Sequence, residues 1–233
     1  GGIILRIRVE YEVKSELRFL SNLDMMNVIQ RALRRGNIPY ALSEGFNPHI
    51  RLSMGTVLPV GLWGQREYFD LELAAPMSIE DFVSKMNVVL PPAIIINQAS
   101  KIEQSTPALM KIINATAYVF VINSDNFDVS AWRDLVLNQD ILTVKSRGKK
   151  KGIDKDLKKG IYKIELINNE LETKIILWVS SGEPVNIRYD ELLDMMQQTG
   201  LDSSLVIDVY RQGNYIKVGE QFYSPLEKVK VFE

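Results

Sequence analysis

What most constrains this chain is a run of alternating and helical periodicities that occurs twice in the same order. Ile3, Leu5, Ile7, Val9 and Tyr11 alternate with Arg6, Arg8, Glu10 and Glu12, the period of two of a strand with one buried face. A helix is predicted over residues 22–35. Ser21 and Asp24 cap it, Leu23, Met26, Ile29 and Leu33 form its apolar stripe, and Gly36 closes it as a left-handed residue. Extended pieces at 40–43 and 50–54 flank a break at Gly45-Phe46-Asn47-Pro48. A strand at 67–73, a helix at 79–89 and a strand at 94–100 follow. The second half repeats the order: a strand at 115–122, a helix at 129–138 capped by Asp128, a strand at 141–146, a hairpin of 161–168 with 173–180, a helix at 189–199 closed by Gly200, and a strand at 205–211. Two β-α-β-β-α-β runs predict an α+β chain of two tandem ferredoxin-like domains with antiparallel sheets, at 3–104 and 108–233. The stretch 103–110, where Gln104-Ser105-Thr106-Pro107 breaks the periodicity, is the expected linker.

Composition narrows the chemistry by exclusion. The 233 residues are 46% hydrophobic and 24% charged, ordinary for a globular chain, and their net charge is −1. Bulk charge therefore does not suit coating long duplex DNA, whereas a local basic patch does suit a phosphate backbone. With no cysteine, these residues form no disulfide, thiolate nucleophile or cysteine-held metal cluster. The single histidine rules out a histidine-rich metal site, and no phosphate loop, dinucleotide fingerprint or HExxH string is present. No cofactor or metal is expected. The start, Gly1 to Arg6, lacks the apolar stretch of a signal peptide, and no apolar run nears the roughly 20 residues of a membrane span, so a cytoplasmic protein without membrane contact is expected.

Three clusters carry candidate chemistry. The densest is 145–159, where Lys145, Arg147, Lys149, Lys150, Lys151, Lys155, Lys158 and Lys159 face two carboxylates, Asp154 and Asp156. That is +6 in a chain of −1, on a loop that Gly148 and Gly152 make flexible. It reads either as a solvated, poorly ordered loop or as a contact for a nucleic-acid backbone. Arg31, Arg34 and Arg35 end the first helix, either complementing its negative end or forming an anion-binding edge. In the segment 45–53, Phe46 is expected to pack inside. Asn47, His49 and Arg51 are expected to line a concave surface near those arginines, with His49 either fixing the turn or acting as an acid or base. Glu67, Asp70 and Glu72 read as the solvent face of a half-buried strand.

Residues 19–24 (FLSNLD), 31–35 (RALRR), 38–49 (IPYALSEGFNPH), 51–53 (RLS), 58–61 (LPVG) and 67–70 (EYFD) resemble the bacterial radical-SAM-linked protein family, a domain of unknown function. The resemblance covers residues 3–104 most strongly. Asn22 stands where members often have His, and Ile50 where they often have Pro. The resemblance implies a companion of, or a part fused to, cobalamin-binding radical SAM proteins in an RNA- or ribosome-related setting. The radical chemistry needs three cysteines on a cluster, which these residues lack. Three functions follow as expectations. The first is a non-catalytic accessory protein that binds RNA or a ribonucleoprotein surface beside a radical SAM partner, through Arg31, Arg34, Arg35, Asn47, His49, Arg51, Lys145, Arg147, Lys149, Lys150, Lys151, Lys158 and Lys159. The second is a metal-independent RNA-cleaving or RNA-modifying enzyme with His49 and Arg51 at its centre. The third is a protein scaffold for the radical SAM partner.

Overall fold

The computed structural model describes residues 5–123, 125–169 and 172–227; the expected strand residues Ile3 and Ile4 lie outside them. In chain order the elements are β1 (Leu5–Val13), α1 (Asn22–Arg35), β2 (Leu52–Met54), β3 (Trp63–Leu73), α2 (Ile79–Val89), β4 (Ile94–Ile102), α3 (Leu109–Ile112), β5 (Ala115–Ile122), α4 (Val129–Asn138), β6 (Thr143–Lys145), β7 (Asp154–Asp156), β8 (Ile161–Asn168), β9 (Thr173–Ser180), α5 (Tyr189–Gln198), β10 (Val206–Val218) and β11 (Gln221–Tyr223). The chain is α+β, with mostly antiparallel strands and few helices. It divides into two compact units, one of residues 1–113 with 213–233 and one of residues 114–212. The expected division at 104–108, with a second domain running to 233, differs in two ways. The stretch after β4 forms α3 and stays with the first unit, and the chain returns to that unit after Gln212.

In the first unit β1 pairs antiparallel with both β3 and β4, and β2 pairs antiparallel with β3, giving the order β4-β1-β3-β2. One sheet face carries Ile7, Val9, Tyr11, Phe69, Leu71 and Leu73. These close a core with Met25, Ile29, Ala32 and Leu33 of α1 and Phe82 and Met86 of α2. Helix α1 begins with a reciprocal cap. The Asp24 N–H donates to Ser21 Oγ (3.1 Å) and the Ser21 N–H to the Asp24 carboxylate (3.2 Å). Its buried stripe holds Met25 in place of Met26, and Leu23 is exposed.

The end of α1 also departs from expectation. Gly36 has φ −79°, and Asn37 takes the left-handed conformation at φ 50°. The Asn37 N–H reaches Arg34 O and the Ile38 N–H reaches Leu33 O, a Schellman closure with Asn37 as its left-handed residue. Gly36 itself needs no left-handed freedom; its N–H donates to Ala32 O at 2.8 Å, and a Cβ there would lie 3.2 Å from the same oxygen.

The second sheet face of this unit is buried, contrary to its reading as a solvent face. Arg8 is 1% exposed and Asp70 2%. They stand opposite each other in the β1–β3 ladder, with Arg8 Nε and Nη2 donating to the Asp70 carboxylate at 2.7 and 2.9 Å. Arg6 adds a third bond to Asp70 at 2.6 Å. Glu10 on this face is buried as well and accepts from the Tyr68 hydroxyl at 2.7 Å; Glu67, opposite Tyr11 and so on the other face by alternation, is also buried and accepts from Asn214 at 3.2 Å. Of the three carboxylates read as exposed, only Glu72 stays part-exposed, paired with Arg51 at 2.9 Å. The cause lies outside the strands. Leu109 and Ile113 pack on Tyr68, and Arg8 donates to Pro107 O (3.0 Å) and Pro225 O (3.1 Å), so the stretch after β4 and the returning C-terminal segment cover this face. Burial, together with the neighbouring Glu10 carboxylate, pushes the Tyr68 hydroxyl far above its usual range.

In the second unit the strand order is β10-β5-β9-β8, with β9 antiparallel to both β5 and β8. Every residue of β5 is buried, so its near-continuous apolar run reflects cover on both faces. Phe120, Trp132, Val136, Leu177, Leu192 and Met196 are among the buried side chains. Trp132 Nε1 donates to Thr199 Oγ1 at 2.9 Å, joining α4 to the end of α5.

Candidate nucleic-acid interface

The structure places the candidate residues at three locations, two of them in the first unit. The C-terminal ends of α1 and α2 leave an open groove lined by Val28, Arg31, Arg34, Arg35 and Pro91. All three arginines are exposed. Their spacing explains the arrangement: positions three and four apart share a helix face, so Arg31 stands beside Arg34 and Arg35. Arg35 donates to Val89 O at 2.6 Å, satisfying a carbonyl at the end of α2. It thereby combines the dipole-complementing role with a place in the groove wall, while Arg31 and Arg34 present guanidinium groups to solvent.

The second location is the loop between Leu42 and Ile50, which bridge one another. The Ser43 N–H donates to His49 O (2.8 Å), the His49 N–H donates to Ser43 Oγ (3.0 Å), and the same hydroxyl lies 2.8 Å from His49 Nδ1. His49 is therefore an exposed residue that fastens the loop. Asn47 and His49 are exposed and Arg51 is part-exposed; none of them lines the arginine groove. The Glu72 carboxylate holds Arg51, raising its already high pKa. Phe46, expected to pack inside, is fully exposed (105%). With Gly45 at φ 119°, the turn carries residue 46 outward at the apex.

The third location, residues 145–159 in the second unit, is closed at its base by the β6–β7 ladder, with 146–153 forming the turn between the two strands, rather than running as a loop throughout. Half of its eight cations have partners. Lys145 pairs with Asp154, Arg147 with Asp194 (2.6 Å) and Lys155 with Glu191 (2.7 Å), while Lys158 donates to carbonyls at the end of α4. Asp194 raises the Arg147 pKa further. Lys149, Lys150 and Lys151 are exposed at the turn, and Lys159 is exposed beyond β7. The organising residue is Glu191, which sequence reasoning missed. It is fully buried and accepts from the Arg147 N–H (2.9 Å), the Arg188 N–H (3.0 Å) and Lys155 Nζ. A glutamate at the third position of a helix was the available signal. The charge count overlooked acids supplied by α5, about forty residues away in sequence.

Among the described residues no group of three or more His, Asp or Glu is placed to hold a metal ion, and no helix is long and apolar enough to cross a membrane. These geometries supply exposed guanidinium groups, an aromatic apex and a basic turn.

Residues 6–189 match a bacterial family described as "Uncharacterized protein conserved in bacteria (DUF2344)". No curated protein matches the chain. Among solved structures, the chain is similar to one from "Crystal Structure of a Cbf5-Nop10-Gar1 Complex", at 11% identity and TM-score 0.50. The match covers 89% of this chain and 48% of the other, so this chain spans about half that chain's length, and the likeness concerns the fold alone. A chain titled "Crystal Structure of an Unknown Protein from Galdieria sulphuraria" aligns over 92% of this chain and all of that one, at 10% identity and TM-score 0.26.

Proposed function

The chain belongs to the bacterial DUF2344 family, and from that premise and its arginine groove we propose that it is a non-catalytic accessory protein that binds RNA or a ribonucleoprotein surface beside a radical SAM partner. The observation that carries the RNA reading is the exposure of Arg31, Arg34 and Arg35 around one groove. Guanidinium groups grip phosphate oxygens in pairs, which gives backbone affinity without base selection. The Lys149–Lys151 turn, held in place through Glu191, is a second phosphate contact. The radical SAM partner is carried by the resemblance in residues 19–70; with no cysteine here, its cluster sits on the partner. The fold class is part of the proposal as well. Both units have the strand order of a ferredoxin-like sheet, β4-β1-β3-β2 and β10-β5-β9-β8, and we read them as two such domains with the β6–β7 hairpin inserted in the second.

The test is co-purification of the tagged chain from bacterial cells, with bound nucleic acid sequenced and bound protein identified, before and after ribonuclease. Recovery of RNA together with a radical SAM protein is the expected outcome. A radical SAM protein recovered without RNA, and unaffected by ribonuclease, would leave the scaffold reading in its place.

A further inference from the structure

The loop apex carries a feature that phosphate binding leaves unexplained. Phe46 is fully exposed on a loop whose conformation is fixed from both sides. The Leu42–Ile50 bridge closes its base, the Ser43–His49 bonds cross it, and Gly45 adopts a positive φ that other residues rarely take. The ring is thus presented to solvent at the apex of a hydrogen-bonded loop.

Its neighbours indicate what covers it. Glu44, Asn47 and His49 beside it are polar and exposed. Pro48 is the other exposed apolar residue of 43–49 and Leu42 is exposed at the loop's base; set among these polar groups, they offer the area of a planar partner rather than a contiguous apolar patch. Glu44 disfavours a phosphate at the apex, and Arg51, the cation nearest in sequence, is held by Glu72. Asn47 offers both a donor and an acceptor, the pair needed to meet a base edge. We propose that Phe46 is a stacking platform for an unpaired nucleobase, so that the RNA meeting the 43–49 loop is single-stranded there. This rests on the RNA reading above and adds the strand state that reading leaves open. Base-on-ring stacking tolerates any base, because each has a flat face, and Asn47 adds a modest preference.

The test compares fluorescence anisotropy of labelled single-stranded oligoadenylate and oligouridylate with that of a fully paired RNA duplex, for the wild type, Phe46→Ala, Phe46→Trp and Arg31→Gln/Arg34→Gln. Phe46→Ala is expected to weaken single-strand binding about 5- to 150-fold, to leave duplex binding and the salt dependence unchanged, and to melt at the wild-type temperature. Phe46→Trp is expected to bind single strands at least as well as the wild type. Single-strand affinity unchanged in Phe46→Ala but weakened in the arginine variant would overturn the stacking role while the RNA reading stands. Equal loss for single strand and duplex would overturn it as well. Loss of a co-purifying protein with RNA affinity intact would reassign Phe46 to a protein contact. Absence of RNA binding by the wild type would remove both readings.

Discussion

Arg8 illustrates how one residue can decide whether a strand face is wet or dry. In sequence it alternates with Ile7 and Val9 and reads as solvent-facing; in the structure it anchors two chain segments through Pro107 O and Pro225 O while pairing with Asp70. Arg8→Met strands part of the Asp70 charge in a dry setting and is expected to cost about 3 kcal/mol in chemical denaturation. Arg8→Met/Asp70→Leu is expected to recover part of that loss, because it removes the stranded carboxylate but leaves Arg6 with only the carbonyls of Thr106 and Gln104. In the single variant, limited proteolysis is expected to cut first within residues 213–227, which lose one of their ties. Asp24 gives a pH prediction of defined sign. The Ser21 hydroxyl and N–H hold its carboxyl below the ordinary value of 3.8. A depressed folded-state pKa stabilises the fold above the unfolded value, and that contribution fades as the pH falls through the depressed one. Asp24→Asn is therefore expected to melt lower than the wild type at neutral pH, with the difference shrinking as the pH falls below 3.8 and through the depressed folded-state value.

At the scale of elements, local signals served well where structure is local. The boundaries of α1, α2 and α4 follow from Ser21, Ser78 and Asp128, each of which accepts from the backbone three residues on. The β8–β9 hairpin follows from its alternation. Legibility ended where an element's environment is set by distant chain. The buried polar face of β1 and β3 depends on cover from residues 105–113 and 213–227, which no periodicity within a strand reports. The order of 145–159 depends likewise on Glu191 and Asp194, so a charge tally overstated its freedom. Glu191→Gln is expected to destabilise the protein by about 3 kcal/mol. It is also expected to speed amide exchange selectively at residues 143–156, since it weakens the tie from Lys155 to α5. Unchanged exchange there would mean that the ladder holds itself.

For the whole molecule, the sequence carried the order of the two units but not their bounds. A chain that returns to its first unit after 212 has a domain division that linker composition cannot mark. Of the candidate site, the Arg31–Arg35 cluster was legible because helical spacing alone brings those residues together. The apex was misjudged because hydrophobicity assigns Phe46 to the interior, whereas the Gly45 turn and the Ser43–His49 clasp send it outward. The claim at the centre is that the groove at the end of α1 binds an RNA backbone. The most direct test is the slope of log affinity against log salt for single-stranded RNA, measured for the wild type and for Arg31→Gln/Arg34→Gln/Arg35→Gln. Each phosphate contact on a single strand contributes roughly 0.7 to that slope, so the triple variant is expected to flatten it by about 2 and to weaken binding alike across sequences. A slope equal to that of the wild type, with affinity unchanged, would contradict the assignment of this groove.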